Sequence, residues 1–336
     1  MTGYVLRRLA QAVVVLWAAF TVTFTILYLL PSDPVSIMLA GGRGGEQTDL
    51  DPAQVAALRA EHGLDQPLVV QYGRALWNAL HLDFGTSIAN GTSVTTLIGE
   101  ALPQTVRLAV AALVIAFVVG VGIALASTWT RSRRLAGLLL SLPPLGVALP
   151  TFWVGLLLVQ LLSFRLPVFP ALGNEGLESL VLPAVTLAIP VSAQIAQVLA
   201  RGLRHSLSEP YVETARAKGA SRARVHLRHA LRNAVVPALT MAGVITGGLL
   251  AGAVVTETVF SRTGIGRLTV SAVNSQDIPL VQGLVLLAAA VFVTVNLVVD
   301  LLYPVVDPRI RLAAPGRRRS APTATTTTRP VVGSPS

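Results

Sequence analysis

The chain has 336 residues, of which 53% are hydrophobic and 12% charged, and its mean hydropathy is +0.66. Soluble domains carry about 25% charged residues, so this composition excludes one large soluble core and is typical of a membrane protein. No cysteine is present, which excludes disulfides and thiolate metal sites. The net charge of +10 is concentrated between apolar runs, which fits membrane topology better than nucleic-acid binding.

Six apolar segments are long enough to cross a bilayer, at about 1.5 Å of rise per residue and about 30 Å of hydrocarbon. They cover residues 9–30, 105–128, 135–162, 180–199, 235–256 and 281–303. The first resembles a signal peptide, but no A-x-A cleavage site follows, so we interpret it as an uncleaved span. The third is interrupted by Pro143, Pro144 and Pro150, and neighbouring helices can accommodate such residues. The sequence predicts an all-α, polytopic membrane protein with six transmembrane helices.

Basic residues are distributed unevenly between the loops, and this distribution predicts the orientation. With the N-terminus inside, 19 of the 26 Lys and Arg residues lie on the cytoplasmic side. The other side keeps seven basic residues and most of the acidic ones. The positive-inside rule therefore predicts a multi-pass protein of the cytoplasmic membrane with both termini cytoplasmic.

One long external loop, residues 31–100, separates the first two predicted spans. A short helix is expected to begin at Asp51-Pro52, and a second at about 67–81, where Tyr72, Leu76 and Leu80 recur near helical spacing. The loop is either a packed external lid or part of the solute route, and the sequence leaves both open. The tail at 306–336 is rich in Arg, Pro, Thr and Ser and is predicted to be disordered, with a basic run within reach of anionic lipid.

Motifs of catalysis are absent from the sequence. A P-loop requires G-x-x-x-x-G-K-[ST], because its lysine reaches the phosphates. The one lysine, Lys218, is followed by Gly219 outside any such frame, and neither H-E-x-x-H nor G-x-S-x-G occurs. His226 and His229 share a predicted helix face, and we expect a solvated face beside arginines rather than a metal pair. The chain is predicted not to be an enzyme and to hold no cofactor and no metal.

A basic segment follows the fourth span, with eight of the 26 Lys and Arg residues between Arg201 and Arg232. Within it, Glu213-Thr-Ala is followed after three residues by Gly219. This pattern resembles the EAA loop of ABC importer permeases, with Thr214 in place of the first alanine.

Other motifs in the same order resemble permeases of the dipeptide, oligopeptide and nickel family. The family usually has Pro-Gly-Asp-Pro where this chain has Pro31-Ser-Asp-Pro34. The similarity covers nearly the whole chain, except the tail after about residue 312, and is greatest to the first-type (B) subunit of a permease pair. The matching motifs are Tyr4-Val-Leu-Arg-Arg-Leu, Gly63-Leu-Asp-Gln-Pro67, Asp83-Phe-Gly-Thr-Ser87, Pro150-Thr-Phe-Trp153, Glu257-Thr-Val-Phe260, Gly264-Ile-Gly-Arg267 and Asn296-Leu-Val-Val-Asp300.

The resemblance implies a type I ABC importer permease fold and a division into four regions. These are an N-terminal transmembrane helix at 1–30, the external loop at 31–100, an ABC transmembrane type-1 domain of five helices at 101–305, and the tail at 306–336. The coupling loop of the third region is placed at 202–234.

The resemblance also implies a permease subunit that moves di- or oligopeptides across the cytoplasmic membrane, driven by separate ATPase subunits. The implied partners are a second, C-type permease subunit, two ABC ATPase subunits or domains, an external solute-binding protein and membrane lipid, with no nucleic acid. Import of nickel or another small solute by the same machinery remains open. So do a secondary transporter, although no inverted repeat is evident, and a non-transporting membrane scaffold.

In the coupling loop, the resemblance implies a short cytoplasmic helix that docks in a cleft of an ATPase subunit. A carboxylate near the start of the helix can complement its N-terminus or bind the partner. Small residues permit close approach, and a glycine lets the chain leave in a left-handed turn. The predicted coupling residues are Glu213, Thr214, Ala215, Ala217, Lys218 and Gly219.

Polar residues within the spans are candidates for the transport pathway, because polar groups at membrane depth are often functional. Arg107 and Glu257 are expected near outer ends, where snorkelling costs little. Asp300 is expected near the inner end, where it either caps or pairs with a loop arginine. Glycines of the fifth span, among them Gly247, Gly248 and Gly252, predict close helix packing. The pathway candidates are Gln104, Arg107, Gln160, Gln194, Gln197, Thr246, Glu257 and Asn296.

Overall fold

The computed structural model describes residues 2–29 and 66–306, and these form twelve α-helices. Within them the only extended pairing is a single bridge between Thr86 and Ser93, so the all-α prediction is confirmed for the described part of the chain. The helices are α1 (Thr2–Leu29), α2 (Leu68–Leu80), α3 (Val94–Trp129), α4 (Arg133–Ala148), α5 (Thr151–Val159), α6 (Glu178–Leu207), α7 (Pro210–Ala217), α8 (Arg222–Arg224), α9 (Leu231–Thr240), α10 (Ala242–Val259), α11 (Ile265–Asn274) and α12 (Ile278–Val306). A π-helical turn, Gln160–Arg165, follows α5, and a second, Val225–Ala230, joins α8 to α9.

Four of the described helices, α1, α3, α6 and α12, are each long and apolar enough to cross a membrane. The pair formed by α4 and α5 with its π turn makes a fifth span if it is counted as one, but its halves meet at 100°. The predicted interruption of the segment 135–162 is therefore confirmed, at the last of its three prolines. The break lies at Leu149, which is extended (ψ 129°) because the proline after it disfavours helical backbone. Pro143 and Pro144, by contrast, lie inside α4.

The predicted fifth span at 235–256 falls on two helices, α9 and α10, which are separated at Met241. The backbone of Met241 remains helical (φ −78°, ψ −5°), so the interruption is local. The apolar part of α10, Gly243–Val259, is shorter than the other apolar helices. Length and composition therefore give four or five spans among the described residues, and the count of six stays a prediction.

Helix α6 lies at the centre of the bundle. In its membrane-length segment 67% of the residues are buried, against 11% in α1 and 6% in α12, so those two helices are peripheral. Its main partner is α3, which contributes Leu108, Ala112 and Ala116 to a core shared with α6. The small residues allow close approach: a Cβ at Gly120 of α3 would lie 2.8 Å from the Ser192 carbonyl oxygen of α6.

The glycines of α10 meet the close-packing prediction only in part. A Cβ added at Gly252 would collide with Leu187 of α6. A Cβ at Gly247 or Gly248 would meet nothing within 4 Å among the described residues. The close-packing prediction is therefore confirmed for Gly252, and for Gly247 and Gly248 the described residues show no close neighbour.

Helix α1 packs against α12 and is fixed near both ends. At one end Arg8 forms an ion pair with Asp300 at 3.0 Å. The predicted pairing of Asp300 with an arginine is confirmed, but the arginine lies on a helix rather than in a loop. At the other end Phe20 and Phe24 make edge contacts with Tyr72 of α2, whose hydroxyl lies 2.8 Å from that of Thr21.

The external segment is described only in its second half. The helix predicted at about 67–81 is confirmed as α2. The predicted helix beginning at Asp51-Pro52 lies outside the described residues, and so does the tail from residue 307 onward, for which disorder is predicted.

Candidate coupling and pathway sites

Helix α7 is short and has defined ends. Glu209 precedes it and Pro210 occupies its first position, where a proline costs no backbone hydrogen bond. Its end forms a Schellman motif: the N–H of Gly219 donates to the Arg216 carbonyl (2.9 Å) and the N–H of Ala220 to the Ala215 carbonyl (3.0 Å). Gly219 has φ +79°, so the predicted left-handed turn is confirmed.

One face of α7 packs on the protein and the other is exposed. Val212 is fully buried, and the Tyr211 hydroxyl accepts a hydrogen bond from Asn233 of α9 at 3.1 Å. On the opposite face Glu213 makes no hydrogen bond or ion pair with the described residues. Ala215 is half-buried, and the rest of the predicted coupling set is exposed: Glu213, Thr214, Ala217, Lys218 and Gly219. The helix is therefore held against the bundle through Tyr211 and Val212, while most of the predicted coupling residues are exposed.

The chain returns from α7 to the membrane helices through a short, well-bonded segment. The Ser221 hydroxyl caps α8 by accepting from the Arg224 N–H at 3.3 Å. The π turn that follows buries Val225, His226 and Ala230. Ala230 joins residues of α3, α6 and α9 in the core at this end of the bundle.

The expectation that His226 lies on a solvated face is wrong. The imidazole is 2% exposed, and its ring centroid lies 5.0 Å from that of Trp129, the last residue of α3. The prediction assumed 3.6 residues per turn, whereas this segment is a π-helix, which shifts the direction of each side chain. Within the described residues no group of three or more His, Cys, Asp or Glu side chains is arranged to hold a metal ion.

Glu257, near the end of α10, is fully buried rather than near a polar surface. One carboxylate oxygen accepts from the Thr105 hydroxyl of α3 at 2.6 Å. The other accepts from the backbone N–H groups of Gly266 (2.7 Å) and Arg267 (3.2 Å), in the first turn of α11. A carboxylate here satisfies orphan donors of α11 and complements its dipole. Glu257 therefore connects three helices.

Two further charged residues are buried, Arg262 near Glu257 and Asp277 just before α12, and neither was predicted as a site residue. Arg262 is 2% exposed and donates to the carbonyls of Gly173 and Ser179, each at 3.0 Å. Burial lowers the pKa of its guanidinium, and the negative charge of Glu257 opposes that shift. Asp277, fully buried, accepts from the Leu280 N–H at 3.3 Å and from the Ser87 hydroxyl. An aspartate directly before an apolar run is an N-cap signal that could have identified Asp277.

The remaining pathway candidates are dispersed over the helices α3, α6, α10 and α12 and the π turn after α5. Asn296 of α12 donates to the Phe292 carbonyl at 2.8 Å and lines a cavity of about 110 Å³ between α1 and α12. A larger cavity of about 880 Å³ lies between residues 163–178 and 261–263, and none of the eight predicted residues lines it. Arg107 and Gln160 are exposed, whereas four candidates are half-buried, namely Gln104, Gln194, Gln197 and Thr246.

Comparison with known proteins identifies the family of this chain. Residues 119–312 match the family described as "Binding-protein-dependent transport system inner membrane component". Residues 1–109 match its N-terminal region, "Binding-prot-dependent transport system membrane comp, N-term". The chain belongs to this family. It is therefore a membrane component of a transport system, and its several apolar helices agree with a multi-pass protein of the inner membrane.

Relatives within the permease family are similar over almost their whole length. A putative peptide transport system permease protein of Brucella abortus (strain 2308) is 39% identical over 319 residues, 93% of this chain and 99% of that protein. The glutathione transport system permease protein GsiC of Salmonella paratyphi A is 39% identical over 316 residues, with the same coverage of 93% and 99%. Among solved structures, a chain from the crystal structure of an amino acid ABC transporter with histidines matches with a TM-score of 0.45 and 18% identity. That match covers 64% of this chain and 94% of the other.

Proposed function

We propose that this chain is the permease subunit of an ABC importer that carries peptides across the cytoplasmic membrane, with ATP hydrolysed by separate subunits. The class of solute is supported by the relatives, which are named as peptide and glutathione permeases and match 93% of the chain. Glutathione is itself a short peptide, so the two names agree on the chemistry of the cargo.

The exposed face of α7 is the observation that supports ATP-driven transport most directly. This helix is held through Val212 and Tyr211, ends in a fixed left-handed turn, and presents a carboxylate and small side chains outward. A rigid, partly apolar helix of this size is suited to a groove on a partner. In the proposal, that groove belongs to an ATPase subunit, and Glu213, Thr214, Ala215, Ala217, Lys218 and Gly219 form the contact.

The further partners of the proposed complex are a second, C-type permease subunit, a pair of ATPase subunits or domains, and an external solute-binding protein. One face of α3 is apolar and exposed along the span, at Val106, Val110, Val114, Phe117 and Val118. In the proposal such faces contact lipid or the second permease subunit. The bundle described here is then one half of the transmembrane part.

The proposed orientation places both termini and α7 in the cytoplasm, as the basic residues favour. Because the chain has no cysteine, single cysteines report the side of the membrane without background. Ala217→Cys is expected to react with an impermeant maleimide only after the cytoplasmic face is opened, and Ala60→Cys only from outside. External labelling at position 217 would reverse the proposed topology.

The function is tested with the reconstituted complex of both permease subunits, the ATPase subunits and the binding protein in vesicles. We expect uptake of labelled peptides that requires ATP and is lost when the ATPase subunits are omitted. Nickel and single amino acids in parallel reactions identify another solute if peptides are not taken up. Uptake of the solute without ATP, driven by an ion gradient, would show a secondary transporter and contradict the proposal.

A further inference from the structure

Three side chains meet where α3 ends and the segment after α7 begins. The guanidinium carbon of Arg222 lies 5.5 Å from the centre of the Trp129 ring, a cation–π distance. The Arg222 guanidinium also donates to the backbone carbonyl of Trp129. On the same tryptophan, the imidazole of His226 packs with its centroid at 5.0 Å and its plane inclined by 57°. Trp129 is thus contacted by two residues that lie four positions apart in the segment after α7.

His226 adds a second connection between the same two elements. Its Nδ1 lies 3.0 Å from the Arg222 carbonyl oxygen and its Nε2 lies 3.4 Å from the Thr128 carbonyl oxygen of α3. Both oxygens are acceptors, so a neutral ring donates to one of them, and a doubly protonated ring donates to both. Donation from Nε2 to Thr128, together with the packing of the ring on Trp129, connects the segment after α7 to α3 and restricts how one can move relative to the other.

The position of this cluster separates it from the docking face of α7. Arg222 follows Gly219 by three residues, and the connection is stiffened by the Schellman motif and by the Ser221 cap. Little flexible chain therefore separates α7 from Arg222, so a displacement of α7 also moves Arg222. At its other end α7 follows α6 after two residues, and its further contacts to the bundle are made by the buried Val212 and by Tyr211, whose hydroxyl accepts from Asn233 of α9.

Helix α3 extends from this cluster to the other end of the bundle. It has 36 residues, about 54 Å at helical rise, and its Thr105 donates to the buried Glu257 that caps α11. It also packs along α6, so a movement of its inner end is carried by a continuous helix rather than by a loop.

We propose that Trp129, Arg222 and His226 form a clamp through which movement of α7 is transmitted to α3. The clamp residues are positioning residues: they touch neither ATP nor solute, and they contribute by making the ATPase-driven displacement of α7 act on a membrane helix. This inference rests on the proposed docking of α7 to an ATPase subunit. The clamp differs from the docking proposal because it assigns a separate function to residues on the membrane side of the turn at Gly219.

The test compares two arginines of the same short helix. Arg222→Ala removes a clamp residue, and Arg224→Ala removes the same charge two positions away, where the side chain makes no hydrogen bond or ion pair with the described residues. Trp129→Leu removes the ring, and Trp129→Phe keeps an aromatic surface. Each variant is assembled into the full complex, and three quantities are measured: ATPase binding, ATP hydrolysis, and solute imported per ATP hydrolysed.

We expect Arg222→Ala and Trp129→Leu to bind the ATPase subunits as the wild type does and to hydrolyse ATP. Solute imported per ATP is expected to fall roughly fivefold or more, the range of coupling between linked sites. Arg224→Ala and Trp129→Phe are expected to keep the wild-type ratio. A merely structural role would lower the amount of inserted protein or ATPase binding and leave the ratio unchanged.

A second measurement follows the far end of α3 without reference to the solute. Thr96→Cys places the only thiol in the chain on an exposed position in the first turn of α3, where a spin or fluorescent label reports movement. ATP is expected to shift the signal in the wild-type complex and not in Arg222→Ala. This readout needs no uptake, so it tests the clamp separately from the solute. If the complex imports another solute, the proposed peptide function is contradicted, and the ATP-dependent signal of the label still tests the clamp.

Several results would overturn the clamp. An unchanged transport ratio in both Arg222→Ala and Trp129→Leu would do so, as would equal uncoupling by Arg224→Ala. Loss of ATPase binding in the clamp variants would show that the residues only shape the docking surface. If Trp129→Leu fails to insert, the decision passes to Arg222→Ala, whose side chain is exposed. Normal ATPase binding after Glu213→Ala and Gly219→Val would remove the docking role of α7 and with it the basis of the clamp.

Discussion

Glu213 on α7 and Glu257 on α10 lie in opposite environments, although the sequence presents both as a glutamate beside small and β-branched residues. Glu213 is exposed and bonds to no described residue. Glu257 is fully buried and accepts three hydrogen bonds, from a side chain and two backbone N–H groups. The difference teaches that the residues beside a glutamate in the sequence do not decide whether it stabilises the fold. Its burial and its satisfied hydrogen bonds do.

The largest expected effect follows from removing the buried carboxylate. Glu257→Ala leaves two backbone N–H groups of α11 without their acceptor and Arg262 without its neighbouring negative charge. We expect a loss of about 3 kcal/mol or more of stability, because each orphaned buried group costs roughly 1–3 kcal/mol. The midpoint of thermal unfolding of the purified protein in detergent measures it.

Thr258→Ala is the matched control for Glu257→Ala. It lies one residue further on the same helix, is exposed, and donates only to a carbonyl of its own helix at 2.7 Å. A midpoint for Glu257→Ala that equals that of the control would show that the network around Glu257 does not stabilise the fold.

Gly219→Val tests the exposed region through its backbone. An added Cβ at Gly219 meets nothing within 4 Å, so the whole cost comes from the positive φ. Left-handed backbone costs roughly 1–2 kcal/mol for an ordinary residue, and a β-branched one avoids it more strongly. We expect uptake to be abolished while the protein inserts normally, with Gly219→Ala intermediate. Wild-type uptake by the valine variant would mean that the turn is not needed for docking.

Glu213→Ala is expected to affect ATPase binding and not stability. Loss of a charge-assisted contact costs roughly 1.5–3 kcal/mol, which corresponds to about 10- to 150-fold weaker binding. A pull-down titration with the ATPase subunits measures it, and thermal unfolding of the isolated permease is expected to be unchanged. If Glu213→Ala instead lowers the unfolding midpoint and binds the ATPase normally, the contrast between the two glutamates disappears.

The smallest expected effect is at the ion pair between α1 and α12. The side chains of Arg8 and Asp300 are 37% and 19% exposed, so solvent screens their attraction. Arg8→Gln is expected to change stability by about 1 kcal/mol or less. Unfolding midpoints at low and high salt measure this contribution. A loss of stability as large as that of Glu257→Ala would show that this ion pair contributes as a buried pair does.

Predictability from the sequence varied between residues for physical reasons. The turn at Gly219 was predictable because a local motif determines it, and the partner of Asp300 was predictable in type because a carboxylate near a helix end favours an arginine. The break at Leu149 was not, because three prolines offered three places to bend and packing selects among them. The burial of His226 was not predictable either, because a π turn changes the helical period on which the prediction depended.

The sequence by itself determined the apolar helices, the basic segment that contains α7, and membership of the permease family, because these depend on composition and on the order of local motifs. Only the tertiary structure decided that Glu257 is enclosed by α3 and α11 and that His226 packs on Trp129. These residues are separated by 152 and 97 positions from Thr105 and Trp129, respectively. Whether a polar side chain is buried depends on which distant helix covers it, and that follows from packing the whole bundle.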